Sequence, residues 1–81
     1  MALRKRWRDL DRSTVGAAPE RYGYYELGDG DGTVVGRDWG VLRDELKEVL
    51  AYGDGEQVRW ETTPSRERAE ELAAEHHERL D

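Results

Sequence analysis

The sequence predicts a small α+β domain, in which a three-stranded antiparallel sheet is packed by helices and an extra helix stands at the N-terminus. Two observations predict this class. Apolar residues alternate with a period of two in the strand-like stretches, and the period changes to 3.6 after Asp38 and again after Ser65. The 81 residues, 40% of them charged, suffice for one domain with a thin core. We therefore divide the chain into an N-terminal segment, 1–20, and the domain proper, 21–81.

The N-terminal segment is expected to be a basic helix followed by a linker. Leu3, Trp7 and Leu10 recur at i, i+4 and i+7, which is the spacing of one helical face and predicts a helix over residues 3–11. Residues 13–19 are mostly small, as in a linker. A helix this short must dock on another surface to persist.

Three strands are predicted. The aromatic stretch 21–27 is typical of a strand, and the Gly-Asp-Gly-Asp-Gly run at 28–32 is typical of a hairpin turn that leads into a short second strand, 33–36. Residues 57–62 alternate between apolar or small and charged side chains, which indicates a third, half-buried strand.

Two longer helices are predicted after the hairpin and after the third strand. Asp38 is the expected N-cap of a helix over residues 39–52, and Gly53 is its expected stop. Ser65 is the expected N-cap of a last helix over residues 65–80. Both carry an apolar stripe with a period of 3.6, so each is expected to cover the sheet.

The charge balance points to a salt-rich cytoplasm. The net charge is −6, and arginine occurs eleven times but lysine only twice. An acidic, lysine-poor protein suits a halophile, because salt screens the repulsion between its carboxylates. No apolar run is long enough for a membrane span, and no signal-peptide pattern is present, so we expect a cytoplasmic protein without membrane contact.

Positive charge is concentrated at the N-terminus. Residues 1–12, here called the basic arm, contain five basic and two acidic residues, a net charge of +3, whereas the remainder carries a net charge of −9. Such an arm can contact nucleic acid, or it can dock on its own acidic domain. The candidate nucleic-acid-binding residues are Arg4, Lys5, Arg6 and Arg8.

No metal site or cofactor is expected. The chain has no cysteine. His76 and His77 are adjacent, so on a helix they point about 100° apart and cannot bind one ion from one face. Asp29 and Asp31 lie in the glycine-rich turn, but a calcium loop that used them would place Leu27 at its first ligand position.

Three motifs together resemble the GIY-YIG nuclease superfamily. They are Gly-Tyr-Tyr-Glu-Leu at 23–27, Val-Leu-Arg-Asp-Glu-Leu-Lys-Glu at 41–48, and Ser-x-x-x-Ala-x-x-Leu at 65–72. The resemblance covers residues 22–80 and indicates a degenerate member of a haloarchaeal type. It implies a three-stranded antiparallel sheet with the Gly-Tyr-Tyr strand at its centre, to which the N-terminal helix is an addition.

The catalytic set of that superfamily is mostly replaced. The family cuts nucleic acid with a metal ion, two tyrosines, an arginine and a glutamate. Tyr25 matches the first tyrosine, but Gly36 stands where the second is expected, Glu45 replaces the arginine, and Ala73 replaces the metal-binding glutamate. The resemblance therefore implies a catalytically inactive domain that acts as a binding module, with a protein partner or a second copy of the chain as the favoured partner.

Two alternatives remain open from the sequence. One is a nucleic-acid-binding module that uses the basic arm. The other is a divergent nuclease with a rebuilt site, whose candidate residues are Tyr25, Arg37, Arg43 and Glu75.

The charge balance also predicts how stability depends on salt. Self-repulsion in the acidic body should weigh heavily against a total unfolding free energy of about 5–15 kcal/mol. The thermal midpoint is expected to rise from low salt toward molar KCl, as measured by melts across KCl concentrations. A midpoint independent of KCl would contradict the halophilic source.

Overall fold

The computed structural model describes residues 3, 5–53 and 55–80, and it describes side chains in the last helix up to residue 76. Over these residues the fold is a four-stranded antiparallel sheet with three helices. In chain order the elements are β1 (Arg8–Asp9), α1 (Arg12–Ala17), β2 (Tyr22–Gly28), β3 (Val34–Val41), α2 (Leu42–Tyr52), β4 (Gln57–Thr62) and α3 (Arg66–Leu80).

Strand β2 lies inside the sheet, whose order is β1-β4-β2-β3. It pairs with β3 on one side and with β4 on the other, both antiparallel. The predicted α+β class is confirmed, as are strands close to 21–27 and 57–62. The sheet has four strands and not the predicted three, because the short β1 adds to the free edge of β4.

The helices cover the two faces of the sheet separately. On the face of Tyr25, α1 and α2 close a core cluster made of Val15, Ala18, Tyr25, Leu42, Leu46 and Val58. On the face of Tyr24, α3 and the basic arm close a smaller cluster made of Leu3, Tyr24 and Leu72. Because successive residues of β2 point to opposite faces, the adjacent tyrosines of the Gly-Tyr-Tyr motif anchor two different cores.

The helix predicted over residues 3–11 is wrong. Arg8 and Asp9 form β1, and the Leu10 N–H donates to the Glu56 carbonyl at 3.0 Å. The Trp7 ring lies so close to Gly28 that a Cβ there would be 2.7 Å from it. The open edge of β4 and the contact of Trp7 with Gly28 thus hold residues 5–10 in a non-helical conformation, and these long-range contacts override the local helical spacing.

A short helix occupies the predicted linker instead. Asp11 is the N-cap of α1, and its carboxylate accepts a hydrogen bond from the Thr14 N–H at 2.8 Å. An Asp at this position satisfies a backbone donor that would otherwise have no partner. The predicted linker over residues 13–19 is therefore wrong over most of its length.

The predicted boundary between the second strand, 33–36, and the following helix, 39–52, is also wrong. Strand β3 continues to Val41, and α2 begins at Leu42 without a side-chain cap. Asp38 lies within the strand, where its carboxylate accepts from the neighbouring Trp39 N–H. The α2 N-terminus is satisfied by backbone, since the Leu42 N–H donates to the Arg21 carbonyl at 2.9 Å. A backbone cap leaves no signature in the sequence.

The other helix ends agree with the sequence. The Ser65 Oγ accepts from the Arg68 N–H at 3.2 Å, as expected of an N-cap for α3. The Gly53 N–H donates to the Val49 carbonyl at 2.7 Å and ends α2. Within the described residues, no helix is long and apolar enough to cross a membrane.

Packing explains the glycine of the Gly-Tyr-Tyr motif. A Cβ on Gly23 would lie 2.5 Å from the Glu61 carbonyl oxygen and 2.7 Å from the Cδ1 of Leu42. Only glycine lets α2 approach the sheet this closely, so this motif position is fixed by the fold.

Candidate functional site

A buried carboxylate lies at the centre of the sheet. Glu26 is fully buried, and its Oε1 accepts from the Arg59 Nε at 2.7 Å and from the Leu3 N–H at 3.1 Å. The Tyr24 hydroxyl donates to Oε2 at 2.8 Å. A buried charge is tolerated only when it is paired and hydrogen-bonded, and these three donors meet that need.

Helix α3 closes over this carboxylate. The His76 ring stacks on Tyr24 with centroids 4.8 Å apart, and its Nδ1 lies 3.9 Å from the Glu26 Oε2. Burial lowers the pKa of His76, although the Glu26 carboxylate opposes that shift. Arg37 donates from Nη1 to the His76 carbonyl at 3.3 Å. His76 is therefore a packed histidine held between Tyr24 and the end of the Arg37 side chain, and His77 is outside the described side chains.

Arg59 connects the buried carboxylate to the basic arm. Its Nη1 donates to the Lys5 carbonyl at 3.4 Å, and its guanidinium lies over the Trp7 ring, 4.0 Å from the centroid. The basic arm therefore docks on its own domain, one of the two arrangements that the charge pattern left open.

Docking of the arm creates a pocket of about 160 Å³ at the edge of β4. We call it the basic pocket; it is lined by Lys5, Arg6, Arg8, Arg59 and Trp60. Among the residues that the structure describes, no carboxylate lies within 4.0 Å of the cationic groups of Lys5, Arg6 and Arg8. Three of the four predicted nucleic-acid-binding residues thus line one pocket, whereas Arg4 is outside the described residues.

Tyr25 lies on the other face of the sheet and is 4% exposed. Its hydroxyl donates to the Glu45 Oε1 at 3.3 Å. Burial, reinforced by the Glu45 charge, raises the pKa of Tyr25 above its usual value. Burial also raises the pKa of Glu45, with Asp38 adding to it and the Tyr25 hydrogen bond opposing it. Tyr25 is a core tyrosine with a carboxylate partner.

Arg43 fastens α1 to α2. Its Nε donates to the Ala18 carbonyl at 3.0 Å, its Nη1 pairs with Glu20 at 2.7 Å, and its Nη2 donates to the Gly16 carbonyl at 3.3 Å. A cation at the carbonyl end of a helix stabilises that end, so this arrangement accounts for the arginine structurally.

The four candidates for a rebuilt nuclease site do not come together. Tyr25 faces α2, Arg37 binds α3 on the other side of the sheet, and Arg43 binds the end of α1. Glu75 pairs with Arg68 on α3 at 3.5 Å. Among the described residues, no group of three or more His, Cys, Asp or Glu side chains could hold a metal ion.

Sequence reasoning missed Glu26 and Arg59 as parts of the site. The signal that could have revealed them is the pairing of strands, since Glu26 lies directly opposite Arg59 on β4 and Arg37 on β3. A carboxylate on the strand expected to be central, with an arginine opposite it on each neighbouring strand, indicates a cross-strand ion pair.

One protein-family model matches nearly the whole chain, including the basic arm and the sheet. A family model described as "Domain of unknown function (DUF7508)" matches residues 1–79. The chain belongs to the DUF7508 family. The DUF7508 match includes the basic arm and every residue that lines the basic pocket. No curated protein and no solved structure gives a significant match.

The buried ion pair of this DUF7508 domain predicts a large effect of one substitution. Arg59→Met keeps most of the side-chain volume but leaves Glu26 without its cation. We expect a loss of about 3–5 kcal/mol in the free energy of unfolding, measured by urea denaturation, because a buried charge is left uncompensated. Arg68→Met is the matched control, since Arg68 is 44% exposed in its surface pairs and should change stability by no more than about 1 kcal/mol. Equal losses in the two variants would argue against the central role of Glu26.

The raised pKa of Glu45 predicts that the free energy of unfolding depends on pH. The pKa of Glu45 is raised in the folded state, so the folded protein favours the neutral form of this carboxyl. The contribution of Glu45 to the free energy of unfolding is therefore complete at pH values below its usual pKa of 4.5, and it is lost as the pH rises through the folded-state pKa. Glu45→Gln keeps an acceptor for Tyr25 and removes the charge. We expect the variant to be more stable than wild type at pH 7, with the difference vanishing toward pH 4, in urea titrations across pH. The exposed Glu70 provides the control, Glu70→Gln, and a less stable Glu45→Gln protein at pH 7 would contradict the account.

Proposed function

We propose that this DUF7508 domain is a binding module without nuclease activity that binds nucleic acid through the basic pocket. The observation that carries the proposal is the pocket itself. On a chain with a net charge of −6, three exposed cations without a nearby described carboxylate gather with Arg59 in one concavity. Phosphate contacts made by Lys and Arg supply most of the affinity of proteins for nucleic acid.

The acidic body does not prevent such binding. At physiological ionic strength the Debye length is about 8 Å, so carboxylates farther than this from the basic pocket are largely screened from a phosphate bound there. The guanidinium groups of Arg6 and Arg8 have the planar fork that suits phosphate oxygens. A local cationic site can therefore bind a phosphate on a protein whose total charge is negative.

The proposal includes a relationship to the GIY-YIG superfamily and a salt-rich source. The central position of β2 between two antiparallel neighbours supports the first, because the resemblance implied that position for the Gly-Tyr-Tyr strand. The charge balance supports the second, and thermal melts across KCl concentrations test it. The dispersed positions of Tyr25, Arg37, Arg43 and Glu75 favour a binding role over a divergent nuclease.

Binding to single-stranded DNA is expected to depend on the arm. A fluorescein-labelled oligothymidylate should bind at low salt, as measured by fluorescence anisotropy. In the Lys5→Ala/Arg6→Ala variant the affinity should fall, and the slope of log K against log salt should decrease by about 0.7 for each phosphate that the variant no longer neutralises. Both side chains are exposed at the rim of the pocket, so the variant should keep the wild-type fold.

The matched control for that experiment is Lys47→Ala/Arg68→Ala, which removes the same charge from α2 and α3. Its affinity and salt slope should decrease far less than those of the arm variant. Equal losses in the two double variants would show that overall charge, and not the basic pocket, governs binding.

The domain is expected not to cut nucleic acid. Glu45 stands where the resembled family has its arginine, and removing one charge interaction with a transition state costs about 10²–10³ in rate. Supercoiled plasmid incubated with Mg²⁺ or Mn²⁺ should therefore stay intact with wild type and with Tyr25→Phe. Metal-dependent nicking by wild type that disappears in Tyr25→Phe would overturn this part of the proposal.

A further inference from the structure

We infer that the basic pocket takes the terminal phosphate of a nucleic acid strand in preference to an internal phosphodiester. The inference rests on the proposed function and narrows it to one chemical class, a phosphate monoester at a strand end. Four features of the pocket lead to it: the contacts of its aromatic rings, its charge, the fixed donor group of Arg59, and its small size.

The aromatic rings at the pocket are already covered. Arg8 lies over Trp60 with its guanidinium carbon 4.7 Å from the ring centroid, and Trp60 also packs against the core cluster of α1 and α2. The guanidinium of Arg59 lies over the Trp7 ring, and the same ring lies against Gly28. Proteins that bind single strands internally and without sequence preference stack bases on free aromatic faces. Each ring already has a guanidinium over it, so a base that stacked there would have to displace an arginine, and charge and hydrogen bonds are the readier means of recognition.

The charge of the pocket suits a dianion. The charge of Arg59 is balanced by Glu26 at 2.7 Å, which leaves Lys5, Arg6 and Arg8 as cations without a described carboxylate partner. An internal phosphodiester carries one negative charge, whereas a phosphate monoester carries about −1.5 to −2 at pH 7 and has three strong acceptor oxygens. The monoester therefore gains more from three nearby cations.

Arg59 supplies a fixed donor group at the same place. Its hydrogen bonds to Glu26 and to the Lys5 carbonyl use two of its five N–H groups. The side chain is only 11% exposed and is held from both sides, so a ligand need not order it on binding. Such preorganisation increases affinity because less side-chain entropy is lost.

The basic arm is attached to β4 at two of the residues that line the pocket. Arg8 pairs with Val58 in the β1–β4 ladder, and Arg59 binds the Lys5 carbonyl. A strand that enters through an internal phosphate must leave in a second direction. A pocket of only about 160 Å³ suits a terminal phosphate better than a continuous chain.

The test compares two oligothymidylates that carry the same 3′-fluorescein label and differ only in a 5′-phosphate or a 5′-hydroxyl group. Fluorescence anisotropy at one fixed salt concentration gives the two dissociation constants for the full chain. We expect wild type to bind the phosphorylated strand about tenfold more tightly. The preference should disappear in Lys5→Ala/Arg6→Ala and persist in Lys47→Ala/Arg68→Ala. Unlabelled thymidine 5′-monophosphate serves as a competitor.

The possible outcomes distinguish the terminal-phosphate inference from the proposed nucleic-acid-binding function. Equal binding of both strands, with weaker binding in the arm variant, would overturn the terminal-phosphate inference and leave the proposed function standing. If wild type bound neither strand, both the terminal-phosphate inference and the proposed function would be overturned. Competition by the mononucleotide as strong as that of the phosphorylated strand would assign the pocket to small phosphate esters and overturn the assignment to a strand end.

Discussion

The structure depends on one buried carboxylate. Glu26 sits on the central strand with no exposed surface, and a charge in that position must be compensated. Its compensation comes from three separate parts of the chain, namely Arg59 on β4, the backbone of Leu3, and Tyr24, on which α3 packs through His76. The requirement to neutralise a single charge thereby orders the arm, the sheet edge and the last helix on one face.

The same requirement explains how an acidic protein keeps a cationic pocket. Arg59 is held inward by Glu26, and its outer side binds the Lys5 carbonyl and the Trp7 ring. The arm is thus held along the edge of β4, where the side chains of Lys5 and Arg6 line the basic pocket. The positive charge of the arm is thereby collected where the arm and the sheet meet, away from the described carboxylates that would pair with it.

On the opposite face, residues that resemble a nuclease motif serve packing. Gly23 permits the close approach of α2, Tyr25 is buried against Glu45, and Arg43 binds the carbonyl end of α1. Each position therefore has a structural reason to hold its residue. Catalysis would require that such side chains converge on one site, and Tyr25 and Arg43 do not.

Local sequence patterns were sufficient for the α+β class, for the strands predicted at 21–27 and 57–62, and for the caps at Ser65 and Gly53, because periodicity and capping are expressed by neighbouring residues. Long-range contacts in the folded chain set the non-helical conformation of residues 5–10, the extension of β3 to Val41 and the backbone cap of α2. The basic pocket likewise depends on long-range contacts. Lys5, Arg6 and Arg8 form a basic run that the sequence shows, but Arg59 and Trp60 come beside them only because β1 pairs with β4 across about fifty residues of chain. The physical reason is that a partner distant in sequence, whether a free sheet edge, a carbonyl or a buried carboxylate, changes the conformation a segment prefers without leaving any mark in that segment's own residues.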